Sequence, residues 1–290
     1  KRIEEISDKC LLCGKCSAVC PVGVEGDKLR IAQRSVRKYS LEPDYSQIDT
    51  LQLSGKLEKG RKILYFAGCM SPLTPGIVKS MASLLNKAGE EWQMMDEDGG
   101  ICCGRPMLMA GRKDAAQQMI EKNTAIIKES GASVLLLSCP ICYRIFKEKY
   151  ALEGIEVLHH TEYIYRLISD GKIKPDKSGL KYAYHDPCEL GRGCGIYDEP
   201  RRVVESVGTL VEGKKNRKES ICCGGSLGSL TLGYDKRKPL VENALNNLTA
   251  TSADIVVTAC PLCKNTFAKY ATNPVLDIAE IVNRAILEEK

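Results

Sequence analysis

The cysteines of this chain recur in a fixed order, and that recurrence restricts its fold more than any other feature. Cys69, Cys102, Cys103, Cys139 and Cys142 are followed by Cys188, Cys222, Cys223, Cys260 and Cys263, at offsets of 119 to 121 residues. The flanks agree as well. Ile101-Cys102-Cys103-Gly104 matches Ile221-Cys222-Cys223-Gly224, and Cys139-Pro140-Ile141-Cys142 matches Cys260-Pro261-Leu262-Cys263. A duplication on this scale makes the chain two related units in tandem.

Within each copy, short β-prone runs alternate with helical stretches. Residues 63–66 and 182–184 stop just before a cysteine, and residues 134–137 and 255–257 stop just before each C-P-x-C. Helical periodicity covers residues 77–88 and 112–129 in the first copy and 201–207 and 238–249 in the second. A further strand and helix follow each C-P-x-C, at 157–158 with 162–168 and at 275–276 with 280–287. Such alternation builds parallel sheets, whose ligands collect at the carboxyl ends of the strands, and four of these strands deliver cysteines to such an end. The expected fold class is α/β, with two tandem parallel-sheet, Rossmann-like domains over residues 61–178 and 179–290. A small helical ferredoxin-type segment and linker precede them over residues 1–60. Residues 40–60 read as a connector and 171–179 as the join between the copies.

Fifteen cysteines in 290 residues is a high content for an intracellular chain, yet the chain is too large for a small disulfide scaffold. The odd count also weighs against complete internal pairing. A net charge of +5 from 42 basic and 37 acidic residues, mixed along the sequence, leaves no nucleic-acid footprint. The longest apolar stretches, such as residues 134–137, fall far short of the roughly 20 residues of a membrane span. The charged opening, Lys1 to Lys9, has no signal-peptide pattern, and a cytoplasmic location is expected. The absence of an initiator Met leaves room for upstream residues.

Cys10, Cys13, Cys16 and Cys20-Pro21 form C-x2-C-x2-C-x3-C-P, the run that wraps an iron–sulfur cube with closely spaced thiolates. Zinc would usually take two separated C-x-x-C pairs or a Cys/His mixture. Gly14 lets the backbone turn tightly around the inorganic core. In proteins with two cubes the fourth cysteine of one run binds the other cube, and a single run is present here. Cys20 is therefore expected either to serve a second cluster held by upstream residues or a partner chain, or to close the cube locally.

In the repeated sites the wide spacing means that the ligands assemble from several loops. Five soft thiolates exceed the four that zinc or a simple cube accepts, and adjacent cysteines can reach two irons of one cluster. The sequence closely resembles the cysteine-rich domain of heterodisulfide reductase B subunits, and of D subunits that fuse it to a ferredoxin segment. Both copies fit that family's pattern of a cysteine, a Cys-Cys-Gly and a C-x-x-C. The resemblance implies one non-cubane 4Fe-4S cluster on Cys69, Cys102, Cys103, Cys139 and Cys142 and another on Cys188, Cys222, Cys223, Cys260 and Cys263. It further implies that the two clusters face each other and split a bound disulfide, fed by a ferredoxin-type 4Fe-4S cluster on Cys10, Cys13, Cys16 and Cys20. Relatives in lactate, glycolate and glycerol-phosphate oxidation share the domain, so a non-catalytic electron relay in such a complex is the rival reading. With no flavin or nicotinamide site visible, a flavoprotein, ferredoxin or hydrogenase-type partner in a hetero-oligomeric complex would supply electrons to reduce a small-molecule or protein disulfide.

His185, in His185-Asp186-Pro187 just before Cys188, is the candidate proton donor to a thiolate product, against the blander reading of a structural histidine. His159 and His160 face Asp277 and Ile278 at the corresponding positions of the second copy, which argues against a shared ligand role. Cys194, in Gly191-Arg192-Gly193-Cys194-Gly195, has no counterpart and reads as a spare thiol. That glycine cluster lacks the G-x-G-x-x-G of a dinucleotide turn. The basic run of residues 214–218 reads as a solvated loop, with docking of an acidic partner as the sharper alternative.

Overall fold

The computed structural model describes residues 2–36, 57–96, 101–225 and 227–287. Residues 40–56 of the expected connector lie outside them. The N-terminal segment holds α1 (Arg2–Lys9), α2 (Lys15–Ala18) and α3 (Gly26–Ser35). The first copy then runs β1 (Ile63–Phe66), α4 (Pro75–Lys87), β2 (Trp92–Met94), α5 (Arg105–Met109), α6 (Lys113–Ser130), β3 (Val134–Leu137), α7 (Pro140–Lys149), β4 (Glu156–His159) and α8 (His160–Ser169). The second copy runs β5 (Lys181–His185), α9 (Gly191–Cys194), α10 (Asp198–Val207), β6 (Thr209–Val211), α11 (Tyr234–Thr249), β7 (Ile255–Thr258), α12 (Pro261–Phe267), β8 (Val275–Asp277) and α13 (Ile278–Leu287).

Each copy builds one four-stranded, all-parallel sheet, in the order β2-β1-β3-β4 and again β6-β5-β7-β8. The two central strands of each sheet carry the apolar side chains. β1 (Ile-Leu-Tyr-Phe), β3 (Val-Leu-Leu-Leu) and β7 (Ile-Val-Val-Thr) are buried along their whole length, as strands covered on both faces must be. The edge strands β2 and β6 have three residues each and are only part-buried or exposed.

Five helices start earlier than the periodicity suggests, α10 and α11 by the most. α11 begins at Tyr234 rather than at 238 and takes Pro239 into its second turn, where the missing N–H removes a single helical bond. α10 begins at Asp198, whose carboxylate and that of Glu199 suit the positive end of the helix dipole. The C-P-x-C motifs also start helices of their own. Pro140 and Pro261 are the first residues of α7 and α12, the position where a missing N–H costs nothing. Cys139 and Cys260 thereby become N-caps, and Cys142 and Cys263 fall in the first turn, one helical step above them.

The halves exchange contacts reciprocally: α8 of the first packs on α10 of the second, and α13 of the second packs on α4 of the first. One continuous apolar core runs through both. Among the described residues no helix is long and apolar enough to cross a membrane.

Arg34, fully buried, fastens the N-terminal segment to both halves. Its Nη1 donates to Met109 O (2.7 Å) in the first half and to Gly228 O (2.6 Å) in the second, while Nη2 donates to Cys10 O (3.2 Å) and to Ser7 O. The backbone of α3 lies so close to Gly111 that a Cβ there would sit 2.6 Å from Arg34 C, and the positive φ of 86° at Gly111 also favours glycine. Replacing Arg34→Ala leaves four carbonyls without a charged donor and is expected to cost at least about 3 kcal/mol. Gly111→Ala should loosen the same junction, so limited proteolysis of both variants should release the first 36 residues ahead of the rest.

Candidate metal centres

The sheet edges aim the cysteines at one another. Cys69 follows β1 through Ala67 and Gly68, and buried Asp96 pins that turn by accepting from Ala67 N–H (2.9 Å) and Gly68 N–H (2.8 Å). Cys188 follows β5 through Asp186, which takes two 2.8 Å bonds from the guanidinium of Arg201 and one from Arg217 N–H (2.7 Å). The Cys-Cys pairs are succeeded by Gly104 and Gly224, at φ 80° and 78°, which turn the chain sharply away from the sulfurs. In the first copy Asn123 Nδ2 donates to Cys102 O (2.9 Å) and Tyr150 OH to Cys103 O (3.0 Å).

The ten repeat cysteines form one interacting series in which each thiol shifts the titration of its neighbours, and Cys223 and Cys263, 3.1 Å apart, are the sulfur pair in direct contact among the described residues. In the first copy Cys69 reaches Cys102, Cys102 reaches Cys103, Cys103 reaches Cys142, and Cys142 reaches Cys139. In the second copy Cys188 reaches Cys222, Cys222 reaches Cys223, Cys223 lies 3.1 Å from Cys263, and Cys263 reaches Cys260. Cys139 and Cys260, the two helix N-caps, shift each other's titration across the boundary between the halves and so link the two sets. Within the first adjacent pair each thiol also has a partner of its own, Cys69 for Cys102 and Cys142 for Cys103. The interaction with Cys102, together with burial, pushes the Cys69 thiol up.

All five cysteines of the second copy line one cavity, closed from the first half by Met109, Pro140 and Ile141. At its rim Glu189 receives Arg144 Nη1 (3.0 Å) and Arg105 Nη2 (3.3 Å), so a carboxylate of the second half is held by two cations of the first. Arg105 and Glu189 are almost fully buried.

The cysteine run of the N-terminal segment lies against the second copy. Cys13 reaches Cys222, and this hydrogen bond brings the Cys13 thiol down to about 6. Arg192 fixes the approach, its Nε donating to Cys13 O (2.7 Å) and its Nη1 to Ser220 O (2.9 Å). Gly14 adopts φ 68°, and a Cβ at Gly26 would lie 2.9 Å from Cys16 Sγ. The Cys10 and Cys20 sulfurs accept backbone N–H groups from Leu12 (3.4 Å) and Val24 (3.3 Å).

His185 is buried with its ring against Phe267 (centroids 4.8 Å apart) and converges with the sulfurs of Cys223 and Cys263 within 4.8 Å. Cys194, at the end of α9, stands apart from the sulfur chain, and burial followed by the charge of Glu189 pushes its thiol up to about 12, which makes it unreactive. His159 and Asp277 share a task that their differing side chains conceal in the sequence. Each caps the helix after its strand, His159 Nδ1 accepting from Thr161 N–H (3.4 Å) and Asp277 Oδ1 from Ala279 N–H (2.9 Å), with Glu162 and Glu280 closing the boxes. His160 Nε2 pairs with Asp277 Oδ1 (2.9 Å) across the domain boundary.

These donors suit iron–sulfur chemistry. None of the fifteen cysteines is paired in a disulfide, and the eight that are buried all belong to the repeats. A dense, all-sulfur donor set is what Fe–S clusters select.

The chain matches the cysteine-rich domain family twice, over residues 63–147 and 182–268, and the 4Fe-4S binding domain over residues 3–24. Together with the sulfur chain, these matches define an iron–sulfur oxidoreductase subunit. It is 30% identical to the D subunit of the dihydromethanophenazine:CoB–CoM heterodisulfide reductase of Methanosarcina mazei, over 90% of this chain and 73% of that protein. It is 30% identical to the B subunit of the fumarate reductase (CoM/CoB) of Methanothermobacter marburgensis, over 90% of this chain and 57% of that one. The EtfAB:quinone oxidoreductase of Syntrophomonas wolfei is 29% identical over 79% of this chain and 35% of its own length. The chain belongs to the cysteine-rich domain family that contains the B and D subunits of heterodisulfide reductase. A putative Asp/Glu racemase structure from Yersinia pestis superposes with a TM-score of 0.36 at 14% identity over 78% of this chain and 97% of that chain, too low to bear on the fold.

Two outcomes follow from the supports of the sites. Glu189→Ala leaves Arg105 and Arg144 with Glu148 of their own half as carboxylate partner and removes the ionic join to the second half, and is expected to destabilise the protein by up to about 3 kcal/mol in chemical denaturation. Burial lifts the Asp96 carboxyl to about 7 despite its two backbone donors, so the folded chain binds a proton there that the unfolded chain has released. Stability from this group is therefore greatest below the ordinary carboxylate range and falls as pH rises through about 7. In Asp96→Asn that slope should vanish from the pH dependence of the unfolding midpoint.

Proposed function

We propose that this chain is a disulfide-reducing subunit holding three clusters. Cys69, Cys102, Cys103, Cys139 and Cys142 would hold one non-cubane 4Fe-4S cluster, and Cys188, Cys222, Cys223, Cys260 and Cys263 a second. Cys10, Cys13 and Cys16, with Cys20 or a ligand from another segment, would hold a ferredoxin-type 4Fe-4S cubane. The observation that carries this reading is the sulfur chain, in which each set of five thiols converges and the two sets are linked at Cys139 and Cys260. Bound there, the clusters would supply one-electron transfer at two adjoining centres, as the half-reaction RS–SR′ + 2 e⁻ + 2 H⁺ → RSH + R′SH requires.

The chain's own residues give the sites an order. Cys13 against Cys222 sets the ferredoxin-type segment beside the second copy, and Arg34 and Arg192 hold it there. Met109, Pro140 and Ile141 line the cavity of the second set of thiols and offer an apolar wall to a sulfur–sulfur bond. Electrons would come from a flavoprotein, ferredoxin or hydrogenase-type partner in the cytoplasm. Ile3, Ile6, Val19, Val22, Val24, Leu29 and Val36 are exposed on the N-terminal segment, an apolar surface suited to such a partner.

The second reading, a relay without its own substrate, is favoured by the likeness to an EtfAB:quinone oxidoreductase and assigns the same clusters to electron passage within a lactate-, glycolate- or glycerol-phosphate-oxidising complex. Anaerobic protein, reduced viologen and candidate disulfides, the CoB–CoM heterodisulfide among them, separate the two. Disulfide-dependent viologen oxidation is the expected outcome, with a loss of about 100-fold or more in Cys139→Ser. Rapid cluster reduction without turnover of any disulfide would favour the relay.

A further inference from the structure

The last register positions of β5, β7 and β8 place His185, Thr258 and Asp277 side by side on one face of the second sheet. All three are buried, and each has a polar atom without a partner: His185 Nε2, Thr258 Oγ1 and Asp277 Oδ2. The corresponding row of the first sheet is Phe66, Leu137 and His159, set by the registers of β1, β3 and β4. Two polar side chains of the second half thus stand where the first half has apolar ones.

The correspondence extends to the surroundings. Phe66 packs edge-on against Phe146 (5.2 Å between centroids), and His185 packs edge-on against Phe267 in the same way (4.8 Å). The Phe66 ring and Cys142 Sγ both border Gly68, at 3.3 and 3.4 Å from its would-be Cβ. His185 occupies that place in the second half, within 4.8 Å of both Cys223 and Cys263. A benzene ring at the first site is therefore replaced at the second by an imidazole, which can donate a hydrogen bond.

A buried imidazole, hydroxyl and carboxylate oxygen without partners are costly unless water bridges them. Neighbouring strands lie about 4.8 Å apart, a spacing at which one water can span two such groups. Beyond Asp277, His160 from the first half completes the row at 2.9 Å.

We propose that His185 is a positioning residue that donates a hydrogen bond to the Cys223 thiolate of the second site, held by Thr258 and Asp277 through bridging water, and that it makes the two repeat sites electronically unequal. A hydrogen bond to a cluster sulfur stabilises the more negative, reduced state. The second site, the one adjoining the ferredoxin-type segment, then has the higher potential. This assigns His185 to tuning a thiolate in place of the proton donation expected from the sequence. The inference rests on the proposal that the repeat thiols hold clusters.

The test is a potentiometric titration of the full chain, followed by electron paramagnetic resonance, with iron and acid-labile sulfide measured on each sample. His185→Phe, which copies the first site, is expected to move one repeat-site couple to more negative potential and leave the other in place. His185→Gln, which retains an N–H donor, should stay near the wild-type value, and Thr258→Leu should shift the same couple in the His185→Phe direction by less. Unchanged couples in a fully loaded His185→Phe protein overturn the proposal, as do couples that move together. A His185→Phe protein that loses the iron of one site also overturns it, in favour of a ligand or structural role. Wild-type protein without labile sulfide would instead sink the cluster assignment itself.

Discussion

Ten thiols drawn to the facing carboxyl edges of two parallel sheets are the constraint around which this molecule is organised. Buried sulfurs in contact gain little from one another, since a thiol is a weak donor and a weak acceptor. Their convergence makes sense when a soft, positively charged inorganic core neutralises them. The protein bears the local costs of holding them ready. Asp96 is kept in a buried turn, Arg201 is committed to Asp186, and Gly104 and Gly224 take left-handed backbone beside the Cys-Cys pairs. At Cys139 and Cys260 a proline opens each helix, so the cysteine caps it and its sulfur sits at the positive end of the helix dipole.

Duplication supplied two equal halves, and the structure then breaks their equivalence. The N-terminal segment lies against the second copy through Cys13 and Arg192. The join between halves is ionic at Glu189, where both cations come from the first half, and polar at His160 with Asp277. Tyr65 OH bonds Ser138 Oγ at 2.6 Å in the first copy, whereas Ala259 replaces that serine in the second and leaves Tyr184 OH without a partner. Near the sulfurs the asymmetry lies largely in polar groups, while the strand orders of the two sheets remain alike.

Much of the frame was legible in the sequence because it is written in local signals. The apolar runs before Cys69, Cys139, Cys188 and Cys260 are the central strands, and the repeat predicted both sheets. The edge strands Trp92–Met94 and Thr209–Val211 escaped because three half-exposed residues carry no readable period. Helices α7 and α12 could have been found from Pro140 and Pro261 as helix starts. The pairing of His159 with Asp277 as caps had a signal too, in the glutamate three residues after each. Contacts joined only by tertiary structure left no such mark: Arg34 reaching Met109 and Gly228, Cys13 reaching Cys222, and Glu189 between Arg105 and Arg144.

The most direct measurement is X-ray absorption at the iron edge of the anaerobically purified chain in which Cys10, Cys13, Cys16 and Cys20 are replaced by serine, so that iron in the repeats is seen alone. Iron surrounded by sulfur is expected, with a further shell of iron neighbours and acid-labile sulfide in proportion. Protein that carries zinc or no metal, or isolated iron atoms without iron neighbours, would contradict the assignment of clusters to the repeats.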